Sequence, residues 1–415
     1  MIVPSIDLMG GQAVQLIGGE RLEIEAGDPV PLMRRFRVAG PVAVIDLDAA
    51  LGQGSNADLV EQLVEEGRCR VGGGIRTVDD AIRRLDSGAE QVILGTAADP
   101  ETLRVLPRER VIAALDARGG QVVVEGWRTN TGRSVIERIA ELRDLVGGFL
   151  VTFVEREGRM EGIDLDAVRA VVEAAAPVRV TVAGGVTTAE EVGAIHRLGA
   201  DCQVGMALYA GRLDLGDAIA ACVAGDPPWP TVVVDERGIA LGFLFSTLES
   251  IRAAVAEGRG VYFSRGRGLW RKGETSGDTQ KLIGIDLDCD SDCLRFVVRP
   301  ERGGHCHLGT WTCWGEAGGV RHLERTLRNR MSEAPIGSYT RRLLDDPALL
   351  HAKLREEAAE LAEAIDPAQV KEEAADMLYF MMVKLIASGK GFDEVERALD
   401  RRALRVTRRP GDAKS

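Results

Sequence analysis

Two glycine clusters constrain this chain more than any other feature. Gly72-Gly73-Gly74-Ile75-Arg76 is followed by Gly95-Thr96, and Ala183-Gly184-Gly185-Val186 is followed by Gly205. Gly73 and Gly95 are 22 residues apart, Gly184 and Gly205 are 21, and the first cluster precedes the second by 111. Asp7 and Asp116, each ending an apolar run, keep almost the same step at 109 residues. Val/Ile-rich runs at 42–46, 91–94, 111–115 and 178–182 alternate with stretches such as 59–66 and 188–198, whose apolar positions recur three and four apart. That alternation is the mark of a parallel sheet buried on both faces. Two equal halves, each with an acid ending its first strand and glycines ending its third and fourth, predict a closed (β/α)8 TIM barrel over 1–225, with its active face at the strand C-termini.

Glycine after a strand lets backbone N–H groups close around an anion, and a following helix N-terminus adds partial positive charge. One such loop reads equally well as a tight turn. Two at equivalent places imply a substrate with a phosphate at each end. Gly73, Gly74, Arg76, Gly95 and Thr96 are the candidate contacts in one half, and Thr152, Gly184, Gly185 and Gly205 in the other. Asp7 and Asp116 are placed as an acid/base pair between them, the plainer alternative being strand-end caps.

At 415 residues the chain exceeds one ordinary core and predicts two or three domains. No run of 18 apolar residues occurs, so no membrane span is expected, and the first residues lack the basic region of a signal peptide. A net charge of -12 argues against nucleic-acid binding but not against phosphate ligands held by backbone N–H groups. Seven cysteines, four of them clustered at Cys289, Cys293, Cys306 and Cys313 beside His305 and His307, suggest metal ligation in a reducing compartment, with cytoplasm as the expectation.

Asp226-Pro227-Pro228-Trp229-Pro230 breaks the barrel pattern as a linker or the lead-in to a strand, and residues 231–300 are strand-rich. A second domain is expected over 226–318. In Asp288-Cys289-Asp290-Ser291-Asp292, an extended strand would point Asp288, Asp290 and Asp292 one way and Cys289 the other. Three carboxylates suit Mg²⁺. Cys289, Cys306 and Cys313 suit Zn²⁺ with a position open for a water nucleophile, or a structural zinc closed by His305. His307 is the available proton-transfer group, and Cys293 reads as a packed thiol. Ser264, Arg265, Arg267, Trp270, Lys272, Thr275 and Ser276 form a basic, hydroxyl-rich cradle for phosphate and ribose.

From about 318 the apolar period becomes 3.6, predicting an all-α domain over 319–415 with a frayed tail at 408–415. Glu357 and Glu360 are three apart on one predicted helix, and Glu373 and Asp376 three apart on the next. Facing pairs of this kind bring four oxygens onto one divalent ion. Each pair is embedded in alanine and leucine, and carboxylates near a core call for a cation.

Residues 1–223 resemble the isomerase of histidine biosynthesis that converts ProFAR to PRFAR, through Pro4-Ser5-Ile6-Asp7-Leu8, Gly72 to Arg76, Leu115-Asp116-Ala117-Arg118-Gly119-Gly120, Gly126-Trp127 and Ala183 to Val186. The resemblance implies an Amadori rearrangement with Asp7 as general base and Asp116 as general acid. The chain departs from the family pattern at Gln15, Phe153, Glu157 and Met206. The 16-residue string from Tyr262 to Gly277, with Asp-Cys-Asp-x-Asp and Cys-His-x5-Cys after it, resembles phosphoribosyl-AMP cyclohydrolase over about 229–316. This implies a zinc-activated water opening the adenine ring. Arg330, Ser338-Tyr339-Thr340, Lys353-x-x-Glu-Glu, Glu373-x-x-Asp and Arg401-Arg402 resemble phosphoribosyl-ATP pyrophosphohydrolase over 320–406. That implies Mg²⁺-assisted pyrophosphate release, with Arg330 and Lys353 neutralising phosphate charge. Both C-terminal families are built around intersubunit sites, so a homodimer acting on phosphoribosyl nucleotides is expected. The competing expectation is two active hydrolases behind a phosphate-binding barrel that serves only as scaffold.

Overall fold

A computed structural model describes residues 1–124, 126–127, 129–316 and 318–408. Two compact units are present: Met1–Arg302 together with the stretch from Leu404, and Gly303–Ala403. Of the tail read as frayed, positions 409–415 lie outside the described residues.

The first unit opens with the barrel. Its strands are β1 (Ile2–Met9), β2 (Val42–Asp46), β3 (Cys69–Gly72), β4 (Gln91–Leu94), β5 (Val111–Arg118), β6 (Gly148–Phe153), β7 (Arg179–Ala183) and β8 (Asp201–Val204). All neighbours are parallel, and β8 closes on β1 with Ile2 opposite Cys202. The lumen is packed by Ile93, Ile112, Leu150 and Ala183, as a filled barrel requires. The repeat extends into the helix caps. Thr77 and Thr188 each accept from the backbone N–H three residues on, while Asp80 and Glu191 reach back in complete capping boxes.

Each half also carries a hairpin that the apolar runs did not predict. Gln12–Ile17 and Arg21–Gly27 follow β1, and Gln121–Val124 and Thr129–Ser134 follow β5. The turns into them are Gly10-Gly11, at φ of 59° and 79°, and Gly119-Gly120, at 57° and 77°. Two consecutive positive φ values make the glycine pair the natural choice for a tight hairpin.

Trp229 begins a strand, so the proline-rich segment is a lead-in. The sheet it enters has six strands. Trp229–Asp235 lies between Ala240–Ser246 and Leu294–Pro300, with Val261–Ser264 and Gly268–Arg271 on one side and Gln280–Leu287 at the other edge. Tyr262, Phe296, Ile285 and Leu241 are buried in its core. The second unit contains the helices Gly319–Ser332, Tyr339–Asp345, Pro347–Glu363, Pro367–Ala387 and Phe392–Ala403. Pro347 and Pro367 stand in the first turn behind the N-caps Asp346 and Asp366, where a missing N–H costs nothing. Leu327, Leu343, Leu350, Phe380, Met382, Val383 and Ile386 form the core. Leu399, which falls within the stretch of 3.6 period, is exposed. Among the described residues no helix is long and apolar enough to cross a membrane.

Candidate functional site

Asp7 stands near the end of β1 and Asp116 near the end of β5, on opposite sides of the barrel mouth. The Ser5 hydroxyl donates to Asp7 Oδ1 at 2.9 Å and Gln15 Nε2 to Oδ2 at 3.4 Å. Burial outweighs both donors and pushes the Asp7 carboxyl up to about 6. Asp116 is also raised, by burial, against opposing hydrogen bonds from the Trp127 indole and the Thr152 hydroxyl. Glu157, in the loop after β6, is a third acid here. Burial first, then the charges of Asp7 and Asp116, raise it to about 7. Asp7, Gln15, Glu157, Gly184, Gly205 and Met206 line one cleft. Sequence reasoning gave Ser5 and Trp127 no role in the site and noted Glu157 only as a departure from the family pattern. Tertiary contacts put them there, and only Trp127, two residues before Thr129–Ser134, had a local signal in the Gly-Gly hairpin turn.

The glycines have a steric reason that holds without any ligand. A Cβ on Gly73 (φ 91°) would lie 2.2 Å from the Asp46 carbonyl oxygen, and one on Gly184 (φ 94°) 2.5 Å from that of Phe153. Asp46 and Phe153 end β2 and β6, equivalent strands of the two halves. Gly74 and Gly185 are likewise at positive φ, with φ of 69° and 90°. Gly205 packs against the Gln15 amide, where a Cβ would meet Oε1 at 2.3 Å. Gly95 differs, since the space around its would-be Cβ is open. Arg76 donates to the carbonyls of Ala49 and Ala50 at 3.1 Å each, Thr96 is exposed, and Thr152 is spent on Asp116. Of the four departures, Gln15 touches Asp7 and Glu157 joins the acids, while Phe153 and Met206 are buried.

In the six-stranded sheet, Asp288, Asp290 and Asp292 are exposed, with ligand oxygens all within 4.8 Å of one another. They do not lie on an extended strand. Residues 288–293 form the turn between Gln280–Leu287 and Leu294–Pro300, with Ser291 at φ 65°. Asp and Ser favour such turns because their side chains bond nearby backbone, and here Asp288 Oδ1 accepts from Cys293 N at 3.1 Å. The charge of Asp290, then burial and Asp288, raise the Asp292 carboxyl.

Cys289 is exposed in the same turn. In the second unit Cys306 is buried and Cys313 exposed. Cys306 Sγ accepts from Leu308 N at 3.5 Å and lies 4.0 Å from His307 Nδ1. The basic cradle is a hairpin pairing Ser264 with Gly268. Arg265 covers the Phe245 ring at 5.1 Å and Arg267 the Trp270 ring at 5.5 Å. Thr275 and Ser276 are exposed, whereas Lys272 is buried and donates to the Asp278 carbonyl at 3.1 Å.

On the helices, Glu357, Glu373 and Asp376 bring ligand oxygens within 4.8 Å, and Glu357 forms a second such group with Glu356 and Glu360. The expectation of acids near a core is corrected. Glu357 is buried and Glu373 half-buried, but Glu360, Asp376 and the neighbouring Ala358, Ala359, Ala374 and Ala375 are exposed, because the core built by Leu350, Phe380 and Val383 lies about two turns further along the helices. Lys353 pairs with Glu356 and Glu357, each at 2.7 Å. Arg330 donates to Ser338 Oγ at 3.4 Å.

These three regions coincide with three known families. Residues 1–214 match the family described as histidine biosynthesis protein, 243–315 phosphoribosyl-AMP cyclohydrolase, and 320–403 phosphoribosyl-ATP pyrophosphohydrolase. The chain belongs to the histidine biosynthesis protein family. A histidine biosynthesis trifunctional protein of Neurospora crassa is 36% identical over 359 residues, covering 82% of this chain and 38% of the relative. An imidazole-4-carboxamide isomerase of Natronomonas pharaonis is 40% identical over 232 residues, covering 53% of this chain and 97% of the relative. A bifunctional protein of Schizosaccharomyces pombe is 48% identical over 206 residues, 49% of each chain. The chain spans between about a quarter and a half of the length of its multifunctional relatives.

Proposed function

We propose that this chain catalyses three reactions of histidine biosynthesis on phosphoribosyl nucleotides. They are release of pyrophosphate from phosphoribosyl-ATP, opening of the adenine ring of phosphoribosyl-AMP to give ProFAR, and isomerisation of ProFAR to PRFAR. One observation carries the reading: each of the three family matches falls on residues whose chemistry suits that family's reaction. In the barrel, Asp7, pushed up to about 6, is ionised at neutral pH and able to take the proton from C2. Asp116, whose carboxyl is raised by burial, is the candidate proton donor to the ring oxygen.

The donor sets fit two kinds of metal. Carboxylates within 4.8 Å of one another, at Asp288/Asp290/Asp292 and at Glu357/Glu373/Asp376 joined by Glu360, suit Mg²⁺. The thiols of Cys306 and Cys313 are of the kind that takes Zn²⁺, which when bound would supply a water of lowered pKa. His307 beside Cys306 would carry the proton, Arg265 and Arg267 would bind phosphate, and Arg330 and Lys353 would meet the triphosphate. A cytoplasmic homodimer is part of the same reading, supported by the exposed Ile336, Ile365 and Val370 of the helical unit.

The test is to give the purified chain phosphoribosyl-ATP with Mg²⁺ and Zn²⁺ and follow products by mass spectrometry. Pyrophosphate and PRFAR are expected. Accumulation of ProFAR without PRFAR would move the barrel to the scaffold role.

A further inference from the structure

The six-stranded sheet shares one compact unit with the barrel, and its acidic turn is tied to the barrel face opposite the acids. His196 is the penultimate residue of the helix Ala189–Arg197, just ahead of β8. Its Nε2 lies 2.9 Å from Ser291 Oγ. The N–H of Ala224, beyond the last barrel helix, donates to the Ser291 carbonyl at 2.7 Å. Ser291 is the residue of the 288–292 segment held at φ 65°. A residue other than glycine keeps that conformation when its surroundings over-determine it, and these two bonds supply that constraint.

The turn has reason to open without them. Three carboxylates within 4.8 Å repel one another. Its ends are closed by Asp288 N to the Cys293 carbonyl and Cys293 N to Asp288 Oδ1, each at 3.1 Å, but its middle has within the turn Ser291 N to Asp288 O at 3.3 Å, a long bond. We propose that His196, with the Ala224 N–H, is a positioning residue for the Asp288/Asp290/Asp292 site, so that a cation meets a preformed turn. The inference rests on the cation reading given above. The sheet does not depend on this contact for its attachment. Arg252 pairs with Asp217 across the same boundary, and the Trp229 indole donates to the Gly225 carbonyl at 3.0 Å. Loss of the His196 bond therefore loosens the turn and leaves the domains joined. Its Nδ1 faces the Met1 amino group at 3.1 Å, so a variant there also touches the start of β1, which a change at Ser291 avoids.

The experiment is hydrogen exchange by mass spectrometry on the full chain, reading the peptide that spans 287–294 without metal and across a Mg²⁺ titration. Wild type, His196→Ala, His196→Gln and Ser291→Ala are compared. His196→Ala and Ser291→Ala are expected to speed metal-free exchange of that peptide and to raise the Mg²⁺ concentration giving half protection, by about two- to tenfold for one lost hydrogen bond. His196→Gln, which keeps a donor near Nε2, is expected to restore both. Equal exchange and equal Mg²⁺ response in wild type and His196→Ala would overturn the positioning role. Faster exchange in the variants with no Mg²⁺ protection in any protein would overturn the cation reading, and with it the role proposed for His196.

Discussion

In the barrel mouth, Asp7 and Asp116 hang from strand ends and take hydrogen bonds from Ser5 and Gln15, and from Trp127 and Thr152. On the helical pair, Glu357, Glu373 and Asp376 crowd within 4.8 Å. There every contribution pushes the Glu373 carboxyl up: burial first, then Glu360, Glu357 and Asp376. The barrel acids are buried and partly compensated by the fold itself, so the site is set before a ligand arrives. The helical acids carry an imbalance that a cation would relieve. On the proposed reading, one site would work by preorganisation and the other by recruitment of charge.

The sharpest test of that contrast is to remove one acid from each region. Asp7→Asn and Asp116→Asn are each expected to lower ProFAR turnover by about 10²–10⁴, with pyrophosphate release from phosphoribosyl-ATP unchanged. Loss of both activities in either variant would mean that the two regions are not independent. Glu373→Gln is expected to do the reverse with a smaller effect. One charge-assisted ligand is lost, so pyrophosphate release falls by about ten- to a hundredfold, and phosphoribosyl-AMP supplied directly is still consumed. A variant that keeps full pyrophosphate release at limiting Mg²⁺ would remove Glu373 from the metal site.

The contrast also predicts different pH profiles. Asp7 must be ionised to take a proton, and its carboxyl sits at about 6. Isomerisation should therefore hold at neutral pH and fall about tenfold per unit as the pH drops below 6. Glu157, raised to about 7 by burial and the charges of Asp7 and Asp116, is mostly protonated where Asp7 titrates, so Glu157→Gln should leave the acid limb in place. An acid limb that moves to lower pH would show that Glu157 carries charge beside Asp7 in that range.

How much of this was legible follows from where the signal lies. The barrel was readable because its repeat is written in glycines and acids at fixed spacing, and Gly73 and Gly184 are required by the close passage of Asp46 and Phe153. The paired hairpins were missed although Gly10-Gly11 and Gly119-Gly120 announce them, since the apolar runs alone set the prediction. The gathering of Asp288, Asp290 and Asp292 was expected by way of a strand. The segment is a turn, because its side chains bond their own backbone. The hydrogen bond from Trp127 to Asp116 and the charge of Asp7 on Glu157 join residues apart in the chain, and no local pattern encodes them. Alanines beside Glu360 and Glu373 suggested a core, yet they are exposed. Small size alone does not tell a buried helix face from an open one.

The smallest expected effect belongs to Lys353 and bears most directly on recruitment. Its ammonium lies 2.7 Å from Glu356 and from Glu357, which hold it protonated by hydrogen bonding and by charge. Glu357 is also in both groups of candidate metal ligands. On the proposed reading, the lysine occupies charge that a divalent ion would otherwise claim, and the same ammonium would turn to phosphate once the ion replaces it. Lys353→Gln should separate the two states. Partly exposed ion pairs are worth little, so the Mg²⁺ concentration for half-maximal pyrophosphate release should fall by only about two- to fivefold. Turnover at saturating Mg²⁺ should drop as well, because a phosphate contact is lost. A titration in which the Mg²⁺ requirement is unchanged and only turnover falls would leave Lys353 as a substrate contact alone, and the helical acids would then need no competing cation of their own.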